Sequence, residues 1–131
     1  MRERETIEAE RDPLTGKVIG AAIEVHRHLG PGLLESAYEA CLCWELSHAG
    51  IALRRQVPLP VVYKGVRLDL AYRLDVVVES SLVLELKTIE VLLPVHEAQL
   101  LTYLRLSGLR TGLLLNFHAP VLCDGIVRMV L

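Results

Sequence analysis

Two carboxylates and a lysine occupy positions in the stretch 74–87 where a buried hairpin would not favour charge. The two strands of the hairpin put their apolar faces on the same side only if the residue numbers of each cross-strand pair sum to an even value. This condition predicts a three-residue turn and places Asp75 opposite Glu85. Their Cβ atoms are then about 5 Å apart, and the like charges repel unless a cation lies between them. The pattern therefore suggests a divalent metal site flanked by Lys87. A solvated polar face, with Asp75 or Glu85 paired to Arg73 or Lys87, explains the spacing equally well.

The strands that carry these charges are predicted from alternation of apolar and polar residues. Residues 66–78 alternate over their whole length, which predicts one continuous strand with Leu74 and Val76 on the same apolar face. The partner strand is predicted over residues 82–87, with Leu84 opposite Val76. These two strands form the centre of the predicted sheet.

A third carboxylate comes from the second predicted helix, 33–49. At 100° per residue, Glu35 falls in line with Tyr38 and the apolar residues that follow, so we expect it to point toward the core side. A carboxylate on an apolar face needs a partner, although a favourable interaction with the helix dipole also explains an acid in the first turn. The opposite stripe, which includes Trp44, is a candidate subunit interface; packing against the first helix is the other explanation.

The remaining elements follow from the hydrophobic period and from the positions of proline and glycine. Gln99 and Tyr103 lie one turn apart on the last predicted helix, 94–107, and share one side of it. The other predicted elements are a first helix at 14–29, a strand at 51–63 interrupted by Pro58 and Pro60, and strands at 111–117 and 121–131. This order predicts an α/β sandwich around a small mixed central sheet flanked by helices.

Composition limits the classes of protein to which the chain can belong. Its 131 residues fit one domain at 14–131 behind a charged, flexible lead-in at 1–13. No apolar run approaches the roughly 18 to 20 residues that span a membrane, and the charged amino terminus lacks the apolar segment of a signal peptide, so we expect a cytoplasmic protein without membrane contact. Hydrophobic residues make up 52% of the chain, which favours a homo-oligomer. The net charge of −2 gives no global sign of nucleic-acid binding, and the three cysteines lack the spacing of a zinc or disulfide framework.

Three segments together resemble one known family. The segment GLLESAY at 32–38 is similar to the signature of the GxxExxY proteins, which are placed in the PD-(D/E)XK nuclease superfamily. The likeness continues through the hairpin, where ELK at 85–87 matches the (D/E)XK pattern, and through HEAQLLTYL at 96–104, and it covers residues 14–131. Leu74 stands where the superfamily name has proline. The resemblance implies a restriction-endonuclease-like α/β core.

The resemblance also implies a metal site. Asp75 and Glu85 would be the metal-binding carboxylates, with Mg²⁺ or Mn²⁺ as the ion. The backbone carbonyl of Leu86 and the helical acid Glu35 would complete the set of ligands. Lys87 would position or activate the attacking water.

The same resemblance implies an activity and a substrate. Gln99 and Tyr103 match the QxxxY feature of exonuclease-like branches and, with Tyr38, would contact the substrate. The implied function is metal-dependent hydrolysis of phosphodiester bonds in nucleic acid, with DNA favoured over RNA. A catalytically silent nuclease-like module that binds nucleic acid or a protein partner is the alternative.

Overall fold

The computed structural model describes residues 12–131. The predicted lead-in therefore lies outside the described residues, except for Asp12 and Pro13, which start the first helix. The elements in chain order are α1 (Pro13–Leu29), α2 (Glu35–His48), β1 (Leu53–Pro58), β2 (Val61–Tyr63), β3 (Val66–Leu68), β4 (Arg73–Val78), β5 (Leu82–Lys87), α3 (Pro94–Ser107), β6 (Thr111–Asn116), one turn of 3-10 helix (Leu122–Gly125) and β7 (Ile126–Val130).

Five strands form one mixed sheet in the order β1-β4-β5-β6-β7. The central strand β5 pairs antiparallel with β4 and parallel with β6, and the crossover between β5 and β6 contains α3. β2 and β3 form a separate antiparallel hairpin. The predicted α/β fold, with a small mixed sheet flanked by helices, is confirmed.

The hairpin β4–β5 has the predicted register. Val76 pairs with Leu84, and a three-residue turn joins the two strands. The first two residues of this turn both have a φ angle of +51°, a left-handed conformation that lets a short turn reverse the chain. Because the register decides which side chains are neighbours, the turn brings Asp75 next to Glu85.

The prediction of one continuous strand over residues 66–78 is wrong. β3 ends at Leu68 and β4 begins at Arg73, so the predicted strand is two strands. Between them, Ala71 has a φ angle of +59°, whereas an extended strand requires a negative φ. Alternation of residue types continued through this break, and for that reason it did not reveal the turn.

The predicted alternation also fails inside β4. Leu74 packs with Val77 on one face of the sheet, whereas Val76 lies on the other, although alternation places Leu74 with Val76. The break coincides with an interruption of the neighbouring ladder, because β1 and β4 pair on both sides of Asp75 but not at Gln56, which lies opposite it. Gln56 has a φ angle of +50°, which is incompatible with regular strand pairing. The backbone is therefore irregular at the residue that carries one of the carboxylates.

The core has two layers, one on each face of the sheet. Between the sheet and helices α1 and α2 lies a large cluster that includes Val25, Leu42, Leu84 and Phe117. α3 covers the other face and approaches it closely, since a Cβ added at Gly112 would lie 2.9 Å from a methyl carbon of Leu100. No helix within residues 12–131 is long and apolar enough to cross a membrane.

The outer stripe of α2 remains largely uncovered. Trp44 is 57% exposed, and its ring stacks on His48 with centroids 3.7 Å apart. Packing against α1 therefore does not account for Trp44. The subunit interface at this stripe stays a prediction.

Candidate active site at the ends of β4 and β5

Asp75 and Glu85 meet where the ladder between β4 and β5 ends. Beyond the pair formed by Val76 and Leu84, the strands are joined through these two side chains. The backbone amide of Asp75 donates to Glu85 Oε1 at 3.2 Å, and the amide of Leu86 donates to Asp75 Oδ2 at 2.9 Å. Backbone amides thus hold both carboxylates in place, one on each strand.

Burial makes both carboxyl groups difficult to ionise. It raises the pKa of Glu85 to about 8, and the charge of Asp75 adds to the increase. Burial also raises the pKa of Asp75. Because Glu85 is only 5% exposed, water screens the repulsion between the two groups weakly. The pair therefore favours an added positive charge, whether a proton or a metal ion.

Lys87 lies at the end of β5, close to the carboxylates and to α3. Burial raises the pKa of both carboxyl groups, and the charge of Lys87 partly offsets this increase. Its Nζ donates to Gln99 Oε1 at 3.3 Å, and Gln99 Nε2 donates to the hydroxyl of Tyr103 at 3.0 Å. Burial and then the charge of Glu85 raise the pKa of Tyr103, so its hydroxyl stays protonated at neutral pH. The structure brings together Lys87, Gln99 and Tyr103, three of the predicted site residues.

Glu35 lines the same pocket as Asp75, but it does not point into the core. The pocket has a volume of about 570 Å³, and Leu86 and Thr88 form part of its wall. The predicted core-facing orientation of Glu35 is wrong, because α2 begins at Glu35 with Leu34 as its N-cap, and the Glu35 side chain is exposed at the first turn. The position of Glu35 on the pocket wall agrees with a part in the site even though the predicted orientation does not.

Tyr38 lies in the core instead of at the pocket. It is fully buried, and its ring stacks on Phe117 with centroids 4.6 Å apart. Its hydroxyl donates to the carbonyl of Gly30 at 2.5 Å and accepts from the amide of Leu33 at 3.1 Å. A side chain with no exposed surface cannot contact a substrate in this conformation, so the structure gives Tyr38 the role of anchoring the loop before α2 in place of the predicted substrate contact.

The pocket also contains a carboxylate that the sequence analysis missed. Glu39 is 7% exposed and lies one turn after Glu35 on α2. Its Oε2 accepts from Arg55 Nε and Nη2 at 3.0 and 2.8 Å, and its Oε1 accepts from Gln56 Nε2 at 2.7 Å. The charge of Glu39 also raises the pKa of Asp75. The spacing of four residues from Glu35 was a signal that both acids lie on one side of the helix.

The donor set fits a divalent ion held by two carboxylates. Among residues 12–131, no group of three or more His, Cys, Asp or Glu side chains is close enough to hold a metal, so Glu35 does not join Asp75 and Glu85 in one cluster. Magnesium is commonly bound by one or two carboxylates while it keeps several waters. Asp75, Glu85 and the backbone carbonyl of Leu86 are hard oxygen donors of this kind.

Fold and site together define an α/β protein with a carboxylate pair and a lysine on its central hairpin. The family model described as the PD-(D/E)XK nuclease superfamily matches residues 12–129, and the chain belongs to this superfamily. Membership suggests a nuclease that acts on nucleic acid, and nucleases of this superfamily generally use divalent metals. No curated protein and no solved structure matches the chain. The narrower assignment to the GxxExxY proteins stays a prediction.

Proposed function

We propose that the protein is a metal-dependent nuclease that hydrolyses phosphodiester bonds in DNA. The observation that carries the proposal is the buried pair of Asp75 and Glu85, with Lys87 beside it on the central strand. A protein that only binds its partner has no need for two opposed carboxylates in a low-dielectric site, where they destabilise the fold. Membership of a nuclease superfamily supports the same proposal.

The proposed ligands of Mg²⁺ or Mn²⁺ are Asp75, Glu85 and the backbone carbonyl of Leu86. When bound, such an ion polarises the scissile phosphate and lowers the pKa of water. The two carboxylates are already oriented by backbone amides, so little rearrangement is needed for an ion to replace the proton that they share. Glu35, exposed on the wall of the pocket, is proposed to act through water or on a second ion.

Lys87 is proposed to act as a cation and not as a base. Its charge lies close enough to Asp75 and Glu85 to interact with both carboxyl groups. A cation at this position orients the attacking water and stabilises the negative charge that develops on the phosphate. Gln99 holds the Lys87 ammonium through its Oε1 and is itself held by Tyr103, so α3 restricts where this charge can lie.

Cleavage of a DNA panel with and without Mg²⁺ or Mn²⁺ tests the proposal. The panel contains linear duplex, single-stranded and nicked DNA. Asp75→Asn and Lys87→Gln should each lower the cleavage rate by at least about 100-fold, the typical effect of removing a group that stabilises transition-state charge. Asp124→Asn and Lys17→Gln remove exposed residues of the same types on other elements and serve as matched controls. Cleavage by the wild type that neither variant reduces would show that the site is misassigned.

Calorimetric titration with Mn²⁺ separates the enzyme from a catalytically silent module. The enzyme should bind Mn²⁺, and Asp75→Asn or Glu85→Gln should weaken the binding. If the wild type shows no Mn²⁺ binding that depends on these two residues, a nuclease-like fold without turnover is the better description.

A further inference from the structure

The hairpin β2–β3 and the residues that follow it expose large apolar side chains. Val62, Tyr63 and Val66 are 61%, 60% and 57% exposed, and Tyr72 is 46% exposed. Tyr63 and Val66 are cross-strand neighbours at the tip of the hairpin. Exposed apolar side chains that are neighbours, as Tyr63 and Val66 are, mark an interaction surface. We call residues 61–73 the hairpin surface.

Tyr72 connects the hairpin surface with the candidate active site. The amide of Leu59 donates to the carbonyl of Tyr72 at 2.8 Å and closes the base of the hairpin. The ring of Tyr72 packs against that of Tyr103, with centroids 6.3 Å apart and an angle of 57° between the planes. Tyr103 is hydrogen-bonded to Gln99, which in turn is hydrogen-bonded to Lys87. Tyr72 also precedes Asp75 by three residues, so at most about 10 Å of chain separates them.

One cation lies beside an exposed ring of this surface, and the segment carries further positive charge. Lys64 Nζ is 5.4 Å from the centroid of the Tyr63 ring. Arg67 and Arg73 add two further positive charges, and the one carboxylate of the segment, Asp69, contacts Arg67 at 3.2 Å. The segment is therefore net positive, although the whole chain has a net charge of −2. Rings accessible for stacking together with nearby cations are the features that bind single-stranded nucleic acid.

We propose that the hairpin surface binds an unpaired DNA strand and leads it to the active site, with bases stacked on Tyr63 and Tyr72. The inference rests on the proposed nuclease function, which makes DNA the ligand. An unpaired strand can place its bases flat on these rings, whereas the bases of a duplex are stacked on one another. A second copy of the chain fits less well, because a two-fold interface centred on this net positive segment would bring Lys64 close to its own copy.

Fluorescence anisotropy of a labelled 12-nucleotide oligo(dT), in EDTA to prevent turnover, tests the binding surface. Tyr72→Ala should weaken binding about tenfold, the effect of losing one stacked base, whereas Tyr72→Phe keeps the ring and should keep the affinity. Trp44→Ala removes an exposed aromatic ring on α2 and should leave binding unchanged. Lys64→Gln should reduce the slope of log affinity against log salt by about 0.7, as expected for one lost phosphate contact on a single strand.

Three results would overturn the inference. The first is absence of oligo(dT) binding by the wild type, or equal affinity of Tyr72→Ala and the wild type. The second is tighter binding of a blunt duplex or of oligo(U) than of oligo(dT). The third is a wild type that light scattering shows to be a dimer and a Tyr72→Ala variant that is a monomer with unchanged DNA affinity. The hairpin surface would then be an interface between copies.

Failure of this inference can be distinguished from failure of the nuclease proposal. Tyr72→Ala should bind Mn²⁺ as the wild type does, because Tyr72 is not one of the proposed ligands. If the wild type cleaves DNA and Tyr72→Ala binds oligo(dT) normally, only the hairpin surface is wrong. If oligo(dT) binding depends on Tyr72 but the wild type neither binds Mn²⁺ nor cleaves DNA, the nuclease proposal fails and only the binding of an unpaired strand by the hairpin surface stands.

Discussion

Raising the pH should destabilise the metal-free protein through Glu85. Its pKa lies at about 8 in the folded protein, above the ordinary value of 4.5 that applies to the unfolded chain. Between these two values the folded state binds more protons than the unfolded state, so the free energy of unfolding falls as the pH rises. The stabilisation is complete below about pH 4.5 and is lost as the pH rises through about 8. Asp75, whose pKa is also raised, acts in the same direction.

The size of the effect follows from the interval between the two pKa values. A tenfold change in proton affinity corresponds to about 1.4 kcal/mol, so the interval from 4.5 to about 8 sets an upper limit of about 5 kcal/mol. The proton belongs to Asp75 and Glu85 jointly, so the loss belongs to the pair, and we expect it to be a few kcal/mol within this limit. Such a loss is a large part of the 5 to 15 kcal/mol that stabilises a typical domain.

Urea unfolding followed by circular dichroism at pH 5 to 9, in EDTA, measures this loss. Glu85→Gln has nearly the same shape but no charge, so it should remove most of the dependence on pH, whereas the exposed Glu90→Gln should keep it. Saturating Mn²⁺ at pH 8 should stabilise the wild type by about 2.7 kcal/mol at a concentration 100 times the Kd, and Glu85→Gln by much less. The same slope for the wild type and Glu85→Gln, or a wild-type stability that increases from pH 5 to 8, would refute the reasoning.

Two further variants test contacts that support the site and the fold. Glu39→Ala removes the buried partner of Arg55 and should lower the free energy of unfolding by about 1 to 3 kcal/mol. Glu45→Gln, on the same helix, should change it little. An equal effect of the two variants in urea unfolding would contradict the role given to Glu39. Asp12→Ala removes the N-cap of α1 and should lower it by about 0.5 to 2 kcal/mol at pH 7. Burial raises the pKa of Asp12, but hydrogen bonds from Thr15 and then Arg128 lower it overall. The wild type should therefore lose this contribution as the pH falls below about 4, and a gap between the two proteins that does not narrow in that range would count against it.

The central hairpin could be predicted because its determinants are local. Parity of the apolar residues and a turn of fixed length were sufficient to place Asp75 beside Glu85, and neither depends on distant parts of the chain. The QxxxY spacing likewise required only a helix, and the structure places Gln99 and Tyr103 in contact.

The features that were not predicted depend on backbone angles or on distant partners. Gln56 and Ala71 have positive φ angles although neither is glycine. Their residue types therefore did not predict this backbone conformation. The pairing of Glu39 with Arg55 joins residues from α2 and β1, so periodicity within either element does not contain it. Glu35 is exposed although its helical phase matches that of the apolar residues, because it is the first residue of α2 and no earlier helical turn covers it.

The short separation between Asp75 and Glu85 also affects the order in which the chain folds. A three-residue turn closes the β4–β5 hairpin with little loss of chain entropy, whereas the parallel pairing of β5 with β6 must close the whole segment that contains α3. Hairpins form in about 1 to 10 μs, faster than contacts of long range. We therefore expect the two carboxylates to come together early, before the helix that positions Gln99 is docked. Charge repulsion at the site should slow the nucleation of folding in addition to lowering the final stability, and divalent ions present during folding should relieve it.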